Sequence, residues 1–328
     1  MKEILSYLTT HHFLTKEQAK ETLTGIGKGN YSEAEIASFL TVFMMRPIQA
    51  QELAGFREAL LDLCVPVDLS EFNTIDVCGT GGDSKNTFNI STLAAFVVAG
   101  AGVKVVKHGN YAVSSPCGSS NLIEHFGYKF SNDPGKLKKD LEKSNICYLH
   151  APLFHPAMKY VAPVRAALRL KTFFNMLGPM VNPARPQNQL VGVYSPEVMD
   201  LYQGVYQETN MNYTILHSDD GFDEISLTSD VNYLSNQGNG KLSPEDFGFK
   251  KWKEEDLFGG ETIEEAAKIF MGILNEEGTE AQDEAILANA AMAIKTVHPE
   301  KSLEQCVEMA ISSLKDGSAL EAFIKFIG

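Results

Sequence analysis

A short strand followed by a glycine-rich turn limits the folds that this chain can adopt. Residues 74–77 are predicted to form a β-strand, residues 79–83 (Gly-Thr-Gly-Gly-Asp) a tight turn, and residues 91–99 a helix of small side chains. A second strand is expected at 103–107. This succession of strand, loop, helix and strand is typical of an α/β protein with a parallel sheet. Three further strands are predicted, at 190–194, at 213–216 and near 224–227.

The first 65 residues follow a different pattern and are predicted to be helical throughout. Ser32 stands as an N-cap before apolar residues at helical spacing, and Pro47 is expected to begin the next helix. A hinge is expected around residues 66–72, where Pro-Val-Asp-Leu-Ser continues a helix poorly. The polar segment 235–258 is predicted to be a loop or an irregular insertion.

Charge and composition exclude several classes of protein. The chain has 328 residues, with 28 Lys and Arg against 42 Asp and Glu, which gives a net charge of −14. Such an acidic balance argues against non-specific nucleic-acid binding, which needs a basic face. We find no apolar run long enough to span a membrane, and the N-terminus lacks the apolar stretch of a signal peptide. Five scattered cysteines without a C-x-x-C pair fit reduced thiols, so a cytoplasmic location is expected.

The first candidate site is the glycine turn 79–83 together with Asn-Ile-Ser-Thr at 89–92, where the next helix begins. Glycines allow close approach of the backbone to a ligand, and a helix N-terminus favours anions, so a phosphate is the expected guest. The spacing matches neither a Walker loop nor a dinucleotide fingerprint. A tight turn without a ligand is the alternative.

The second candidate is the segment 107–115 (Lys-His-Gly-Asn-Tyr-Ala-Val-Ser-Ser), followed by Gly118 and Ser119. It comes at the carboxyl end of the second strand, which is where open α/β sheets bind ligands. A lysine, small residues and several hydroxyl groups suit a polyanion. The alternative is a polar loop with no ligand.

The third candidate is an acidic run at 218–224, which holds four carboxylates in the six residues from Asp219 to Glu224. Magnesium is usually held by one or two carboxylates together with substrate phosphates, and two phosphate-type loops give this run a purpose. A solvated acidic turn is the alternative explanation.

The fourth candidate is Arg165 with the segment 171–179, whose apolar residues could accept an aromatic ring while the arginine clamps a carboxylate. An exposed arginine on an ordinary helix is the alternative. His155, which precedes a proline, is more typical of a helix start than of a catalyst.

These four blocks, in this order, resemble the anthranilate phosphoribosyltransferase family over nearly the whole chain. The most specific parts are 76–83 with 89–92, 107–119, 165–183 and 220–226. The resemblance implies a small helical domain at 1–70, joined by about 165–183, and a larger α/β domain at 71–328 with a mostly parallel central sheet. It also implies a homodimer that binds no nucleic acid and no membrane.

The same resemblance assigns residues to two substrates and to Mg²⁺. Catalytic roles fall on Lys107, Asn110 and Arg165, and magnesium would be held by Ser91, Asp223 and Glu224. Anthranilate would bind at Asn110 and Arg165 near Gly79, with His108, His155 and Gly178 as lining residues. The expected contacts of 5-phosphoribosyl 1-diphosphate are Gly79, Gly82, Asp83, Thr87, Asn89, Ile90, Ser91, Thr92, Lys107, His108, Gly109, Asn110, Tyr111, Ala112, Val113, Ser114, Ser115 and Ser119.

Four positions depart from the pattern that the family commonly shows. Tyr111 stands where arginine is common, Asn121 where aspartate is common, Lys171 where arginine is more frequent, and Arg169 where glycine is usual. Tyrosine in place of arginine removes one cation from a phosphate site, which bears on affinity more than on activity.

The reaction implied is displacement of diphosphate from the ribose C1 by the amine of anthranilate, the second step of tryptophan biosynthesis from chorismate. Two alternatives stay open at this point. A pyrimidine-nucleoside phosphorylase would share the architecture but would use orthophosphate. A binding or regulatory paralogue would keep the phosphate loops without turnover, and Tyr111 and Asn121 are its main support.

Overall fold

The computed structural model describes residues 1–112 and 116–328. Its strands are β1 (Thr74–Gly79), β2 (Lys104–Gly109), β3 (Ile146–His150), β4 (Asn188–Gly192), β5 (Asn212–Ser218), β6 (Val231–Ser235) and β7 (Gly238–Leu242). They form one sheet in the order β3-β2-β1-β4-β5-β6-β7. The first five strands are parallel, and β6 and β7 add an antiparallel hairpin at one edge. The predicted α/β class with a mostly parallel sheet is confirmed.

Helices cover both faces of the sheet and form the whole N-terminal part. Their bounds are α1 (Lys2–Thr9), α2 (Lys16–Gly27), α3 (Glu33–Met45), α4 (Ala50–Leu63), α5 (Ile90–Gly100), α6 (Ser119–His125), α7 (Pro134–Ser144), α8 (Ala151–Phe154), α9 (Ala162–Leu168), α10 (Phe174–Leu177), α11 (Pro196–Tyr206), α12 (Ile263–Leu274), α13 (Glu280–Val297), α14 (Leu303–Lys315) and α15 (Ser318–Ile327). Across the two described stretches, no helix is both long enough and apolar enough to cross a bilayer.

Side chains on alternate residues of the central strands enter two different cores, as the period of a strand requires. Ile75 and Val77 of β1 pack on one face, in a core that α5, α13 and α15 complete. On the other face of the sheet, Val191 and Ile215 join the core of the N-terminal helices. The N-terminal helices are therefore packed directly onto one face of the sheet.

A cluster of phenylalanine rings ties the segment after Arg165 to the N-terminal helices. The ring of Phe173 stacks on Phe56 of α4 with centroids 4.5 Å apart and meets Phe43 of α3 edge-on at 5.3 Å. Phe39 of α3 contacts the same three rings. Burial of a phenylalanine side chain contributes about 2–3 kcal/mol, so this cluster holds the segment in place.

Three local predictions prove wrong. Pro47 does not begin a helix, because the Glu52 carboxylate accepts the Gln49 N–H at 3.0 Å and pairs with Arg46, which keeps residues 46–49 outside α4. Residues 224–227 form no strand, since the side chain of Asn289 takes both backbone hydrogen bonds of Ile225. The segment 235–258 is only partly irregular: it contains β7 and two short 3-10 helices at Pro244–Phe247 and Glu254–Leu257.

Candidate active site

A cavity of about 450 Å³ lies at the carboxyl ends of β1 and β2, where parallel sheets generally bind ligands. Most residues singled out from the sequence line it. They are Gly79, Gly82, Asp83, Thr87, Asn89, Ser91, Thr92, Lys107, His108, Gly109, Asn110, Tyr111, Ala112, Ser119, Arg165, Gly178, Asp223 and Glu224. The four blocks, separated by up to about 140 residues in the chain, therefore meet in one place.

Two of the predicted residues lie behind this wall. Ile90 begins α5 with a fully buried side chain that belongs to the apolar core. His155 is buried with its ring centroid 5.2 Å from that of His108, so it supports a lining residue from behind. Val113, Ser114 and Ser115 lie outside the described residues.

The glycine turn has the backbone that its sequence requires. Gly81 and Gly82 adopt φ angles of +67° and +82°, a region that residues with a side chain rarely enter. At Gly79 a Cβ would collide with the carboxylate of Asp223. The turn therefore brings backbone N–H groups against the acidic run, and the N–H of Gly81 donates to Asp223 Oδ2 at 2.5 Å.

Asp223 and Glu224 form an electrostatically costly pair beside this turn. The Asp223 side chain is buried, and desolvation together with the charge of Asp83 raises its pKa to about 8. Burial and the charge of Asp223 raise the pKa of the half-buried Glu224 as well. The Ser91 N–H at the start of α5 donates to Glu224 Oε1 at 2.9 Å, which fixes its direction. Two such carboxylates need a cation beside them when both are ionised.

This donor set fits magnesium held together with a substrate phosphate. The described residues contain no cluster of three or more His, Cys, Asp or Glu side chains that could cage a metal. Magnesium instead binds one or two carboxylates and completes its shell with water and phosphate oxygens. Asp223, Glu224 and the hydroxyl of Ser91 meet that requirement.

Lys107 of β2 is the buried cation of the cavity, with 2% of its surface exposed. Its ammonium donates to the carbonyl of Val77 at 2.7 Å and lies 3.4 Å from Ser91 Oγ. Burial lowers the pKa of Lys107, and the nearby Asp76 carboxylate opposes that shift. One donor position of the ammonium thus remains for a ligand oxygen.

Arg165 approaches the same cavity from α9. Its guanidinium lies 5.6 Å from the ring centroid of Phe174, and Nη2 donates to Asn175 Oδ1 over a long 3.3 Å. Burial lowers the pKa of this arginine. A partly desolvated guanidinium with weak internal partners is well suited to a bidentate bond with a carboxylate.

Comparisons with known proteins identify this arrangement. Residues 71–320 match the family model described as "Glycosyl transferase family, a/b domain", and residues 2–64 match its helical bundle domain. An anthranilate phosphoribosyltransferase of Flavobacterium psychrophilum is 58% identical over 325 residues, which covers 99% of this chain and 98% of the relative. The chain belongs to the anthranilate phosphoribosyltransferase family. The enzyme of that name from Bacteroides thetaiotaomicron is 51% identical over 100% of this chain and 98% of the relative.

Solved structures of the family superpose closely. Anthranilate phosphoribosyltransferase from Thermus thermophilus gives a TM-score of 0.92 at 31% identity, with 98% of each chain covered. The enzyme from Saccharomyces cerevisiae in complex with PRPP and Mg gives 0.91 at 26% identity, covering 99% of this chain and 97% of the other.

Two departures from the common family pattern have clear local roles. The hydroxyl of Tyr111 donates to the Glu124 carboxylate at 3.2 Å, and its ring meets His150 edge-on at 4.8 Å. Asn121 Oδ1 accepts the N–H groups of Ala112 and Gly118, at 2.9 and 3.1 Å. Asn121 therefore ties together two backbone positions that flank the segment 113–117.

The cavity wall also contains two lysines that are not among the predicted ligand contacts, although Lys171 begins the fourth candidate segment. Lys171 donates to the carbonyl of Gly82 at 2.6 Å, which joins the segment after Arg165 to the glycine turn. Lys85 lies over the ring of Phe222 and pairs with Glu254 at 2.6 Å. Lys85 follows Asp83 by two residues, so extending the first motif would have found it. No short-range pattern signals the long-range contact of Lys171.

Proposed function

We propose that this chain transfers the phosphoribosyl group of 5-phosphoribosyl 1-diphosphate to the amine of anthranilate. The products are N-(5-phosphoribosyl)anthranilate and diphosphate, in the second step of tryptophan biosynthesis. The proposal is supported by full-length relatives named for this activity. The single observation that carries it is that Asp223, Glu224 and Lys107 share one cavity with Arg165.

The donor end of the reaction needs positive charge at the departing diphosphate. The bond from ribose C1 to the diphosphate oxygen breaks, and the diphosphate leaves with the electron pair. Lys107 lines this cavity with the N–H groups of Gly82 and Asp83, for which the described residues offer no acceptor. At about 4 Å and an effective dielectric of about 20, one cation contributes roughly 4 kcal/mol. These groups therefore stabilise charge that develops as the bond lengthens.

The magnesium site would lie at the same end of the cavity, beside the diphosphate. When bound, magnesium neutralises the diphosphate as a Lewis acid. Asp223, Glu224 and Ser91 would hold it, which removes the repulsion between the two carboxylates. The yeast enzyme of the family was solved with PRPP and Mg, and this likeness supports the same cation here.

The acceptor end needs an oriented amine. Arg165 would bind the anthranilate carboxylate, and Asn110, which follows β2 and lines the same cavity, would also contact anthranilate. The new bond joins the anthranilate nitrogen to C1, and the nitrogen then loses one proton to water. An aromatic amine is largely neutral near pH 7, so no dedicated base is required. Orientation converts a bimolecular encounter into an effectively unimolecular step.

Two histidines near this end are held neutral. Burial lowers the pKa of His108 to about 3 and that of His155 to about 4. A neutral imidazole adds no charge beside Arg165 and leaves the carboxylate to the arginine. We therefore assign His108 and His155 to the wall of the acceptor position, His108 directly and His155 from behind.

Domain organisation, assembly and location are part of the same proposal. We assign 1–70 with about 165–183 to a helical domain and 71–328 to an α/β domain, supported by the stacking of Phe173 on Phe56. A homodimer is supported by the exposed Tyr7, Phe13 and Met45 in the N-terminal part. A cytoplasmic location is supported by the free thiols of all five cysteines.

The test is a fluorescence assay of the purified protein with both substrates and Mg²⁺. We expect anthranilate fluorescence to decay, and the decay to stop when the donor or the magnesium is omitted. Thymidine or uridine with orthophosphate should release no free base, whereas release would favour a nucleoside phosphorylase. A flat trace at high enzyme concentration would favour a binding paralogue and contradict the proposal.

A further inference from the structure

A second cavity, of about 310 Å³, lies away from the substrate loops. It opens where β4 and β5 begin, between α4 and the segment that leads into β4. Its lining residues are Arg57, Leu61, Pro179, Met180, Asn182, Arg185, Pro186, Gln187, Gln189, Thr209, Asn210 and Met211. Pro179 also lines the first cavity, so a short stretch of chain separates the two.

Most polar groups of this second cavity already have protein partners. Gln189 donates to the carbonyl of Pro179 at 2.6 Å and accepts from the hydroxyl of Tyr206 at 2.6 Å. The amide of Asn182 donates to Asp76 Oδ2 and to the Val106 carbonyl. These side chains are therefore occupied with holding the wall itself, and they leave little hydrogen-bonding capacity for a ligand.

The two arginines are different. Arg57 is half-buried, and Nε donates to the carbonyl of Met180 at 3.1 Å, which fixes the plane of the guanidinium. Among the described residues we find no acceptor for its two terminal nitrogens. Arg185 donates from Nη2 to the Leu61 carbonyl at 3.3 Å and lies 3.8 Å from the Asp62 carboxylate. The cavity therefore offers a ligand unpaired N–H donors and positive charge.

The charges around the cavity also favour the binding of an anion. Burial lowers the pKa of Arg57 and the positive charge of Arg185 lowers it further, while Tyr206 and Glu58 oppose the shift. Asp62 is the acidic neighbour of Arg185, and it is shared with Lys20 at 2.8 Å. An anion between the two guanidinium groups would relieve their repulsion and accept the free N–H donors.

Part of the wall is apolar. Leu61, Pro179, Met180, Pro186 and Met211 supply carbon surface in the same cavity as the arginines. Binding sites for small molecules combine such walls with a few fixed polar groups, and their volumes begin at about 300 Å³. A ligand that matches both halves has one carboxylate and a compact apolar body.

We propose that this second cavity is a binding site for a small carboxylic acid with an apolar, single-ring body, separate from the substrate cavity. The carboxylate pairs with Arg57 and Arg185, and the ring packs on the prolines and methionines. Because Pro179 belongs to both walls, the occupant contacts the chain that forms the acceptor end of the substrate cavity.

The test uses benzoate as the probe and calorimetric titration of the full-length protein. Benzoate can also reach the acceptor position, so Arg165→Ala serves as the reference background. We expect Arg165→Ala to keep one benzoate site, and Arg165→Ala with Arg185→Gln to bind benzoate about tenfold more weakly or worse. Arg169→Gly in place of Arg185→Gln removes an exposed arginine away from both cavities and should leave the affinity unchanged.

Several results would overturn the proposal. Loss of all benzoate binding in Arg165→Ala alone would place the probe in the substrate cavity. Equal affinity with and without Arg185→Gln would remove the arginine from the site. If inorganic phosphate bound as tightly as benzoate, the ring of the ligand would contribute nothing to binding, which would contradict the proposed ligand class. Crystals soaked with 4-bromobenzoate supply an independent check, with bromine expected beside Met180 and Met211.

Discussion

Truncation of Arg165 tests the acceptor half of the proposed reaction most sharply. In the structure the guanidinium has one long hydrogen bond, 3.3 Å to Asn175, and a ring contact with Phe174 at 5.6 Å. Little in the free protein depends on these contacts, so Arg165→Ala should fold normally. A hydrogen bond to a charged group contributes about 1.5–3 kcal/mol. At about 1.4 kcal/mol per factor of ten, loss of this bond corresponds to roughly 10- to 150-fold in affinity.

We therefore expect Arg165→Ala to raise the KM for anthranilate by roughly 10- to 150-fold, while the KM for 5-phosphoribosyl 1-diphosphate stays within about twofold. Arg165→Lys keeps the charge but loses the bidentate geometry, and it should fall between the two. The assay is initial-rate fluorescence at saturating Mg²⁺, with each substrate varied in turn.

The matched control is Arg169→Gly, four residues further along the chain. Arg169 is exposed, lies outside the cavity wall and has φ at +54°, a conformation that glycine adopts easily. It should leave both KM values unchanged. An anthranilate KM within about threefold of wild type in Arg165→Ala, or an equal rise for both substrates, would refute the role of Arg165.

Three further predictions concern the metal, acid stability and the aromatic core. Asp223→Asn with Glu224→Gln should abolish the response of the rate to Mg²⁺ and lower kcat; a normal magnesium titration would show that these two carboxylates do not hold the metal. His155 has a depressed pKa of about 4, so its stabilisation is complete above about pH 6.5 and is lost as pH falls. From pH 6.5 to 4.5 this amounts to roughly 2–3 kcal/mol, and chemical denaturation of His155→Gln should show a shallower loss over that range. Phe173→Ala should lower the free energy of unfolding by about 3–5 kcal/mol, whereas the exposed Phe258→Ala should change it by less than about 0.5; equal effects would contradict the packing argument.

Local patterns predicted those parts of the fold in which neighbouring residues decide the outcome. The glycine turn lies between β1 and α5 as its sequence indicates, and Ser32 caps α3 as predicted. The prediction that Pro47 begins a helix was wrong because Glu52, which is paired with Arg46, accepts a backbone hydrogen bond before α4 begins. That pairing arises from tertiary packing, which a helix-start rule does not include.

Strand prediction failed where hydrogen bonding departs from the usual ladder. Residues 224–227 (Glu-Ile-Ser-Leu) alternate polar and apolar side chains as a strand does, but Asn289 on α13 occupies the backbone of Ile225. The reverse error occurs at the β6–β7 hairpin, where the polar outer strand β7 lies in a segment predicted to be a loop or an irregular insertion. Lys241 on that strand pairs with Asp219, and charged edges of this kind protect a sheet from further pairing.

The residues of the site were predicted mainly from the resemblance to a known family, and less from charge and spacing. Charge and spacing alone left a phosphate loop, a polyanion loop and an acidic turn as separate possibilities. Only the family resemblance brought Asp223 and Arg165 to the same cavity. Lys171 shows the remaining gap, because its bond to the Gly82 carbonyl joins positions 89 residues apart in the chain.

Product analysis shows whether the cavity carries out the whole transfer from donor to acceptor. Purified protein, anthranilate, 5-phosphoribosyl 1-diphosphate and Mg²⁺ should yield N-(5-phosphoribosyl)anthranilate and diphosphate in equal amounts, each matching the anthranilate consumed. Diphosphate formed without anthranilate consumption, or anthranilate left intact while the donor is bound, would show that this cavity does not catalyse the transfer.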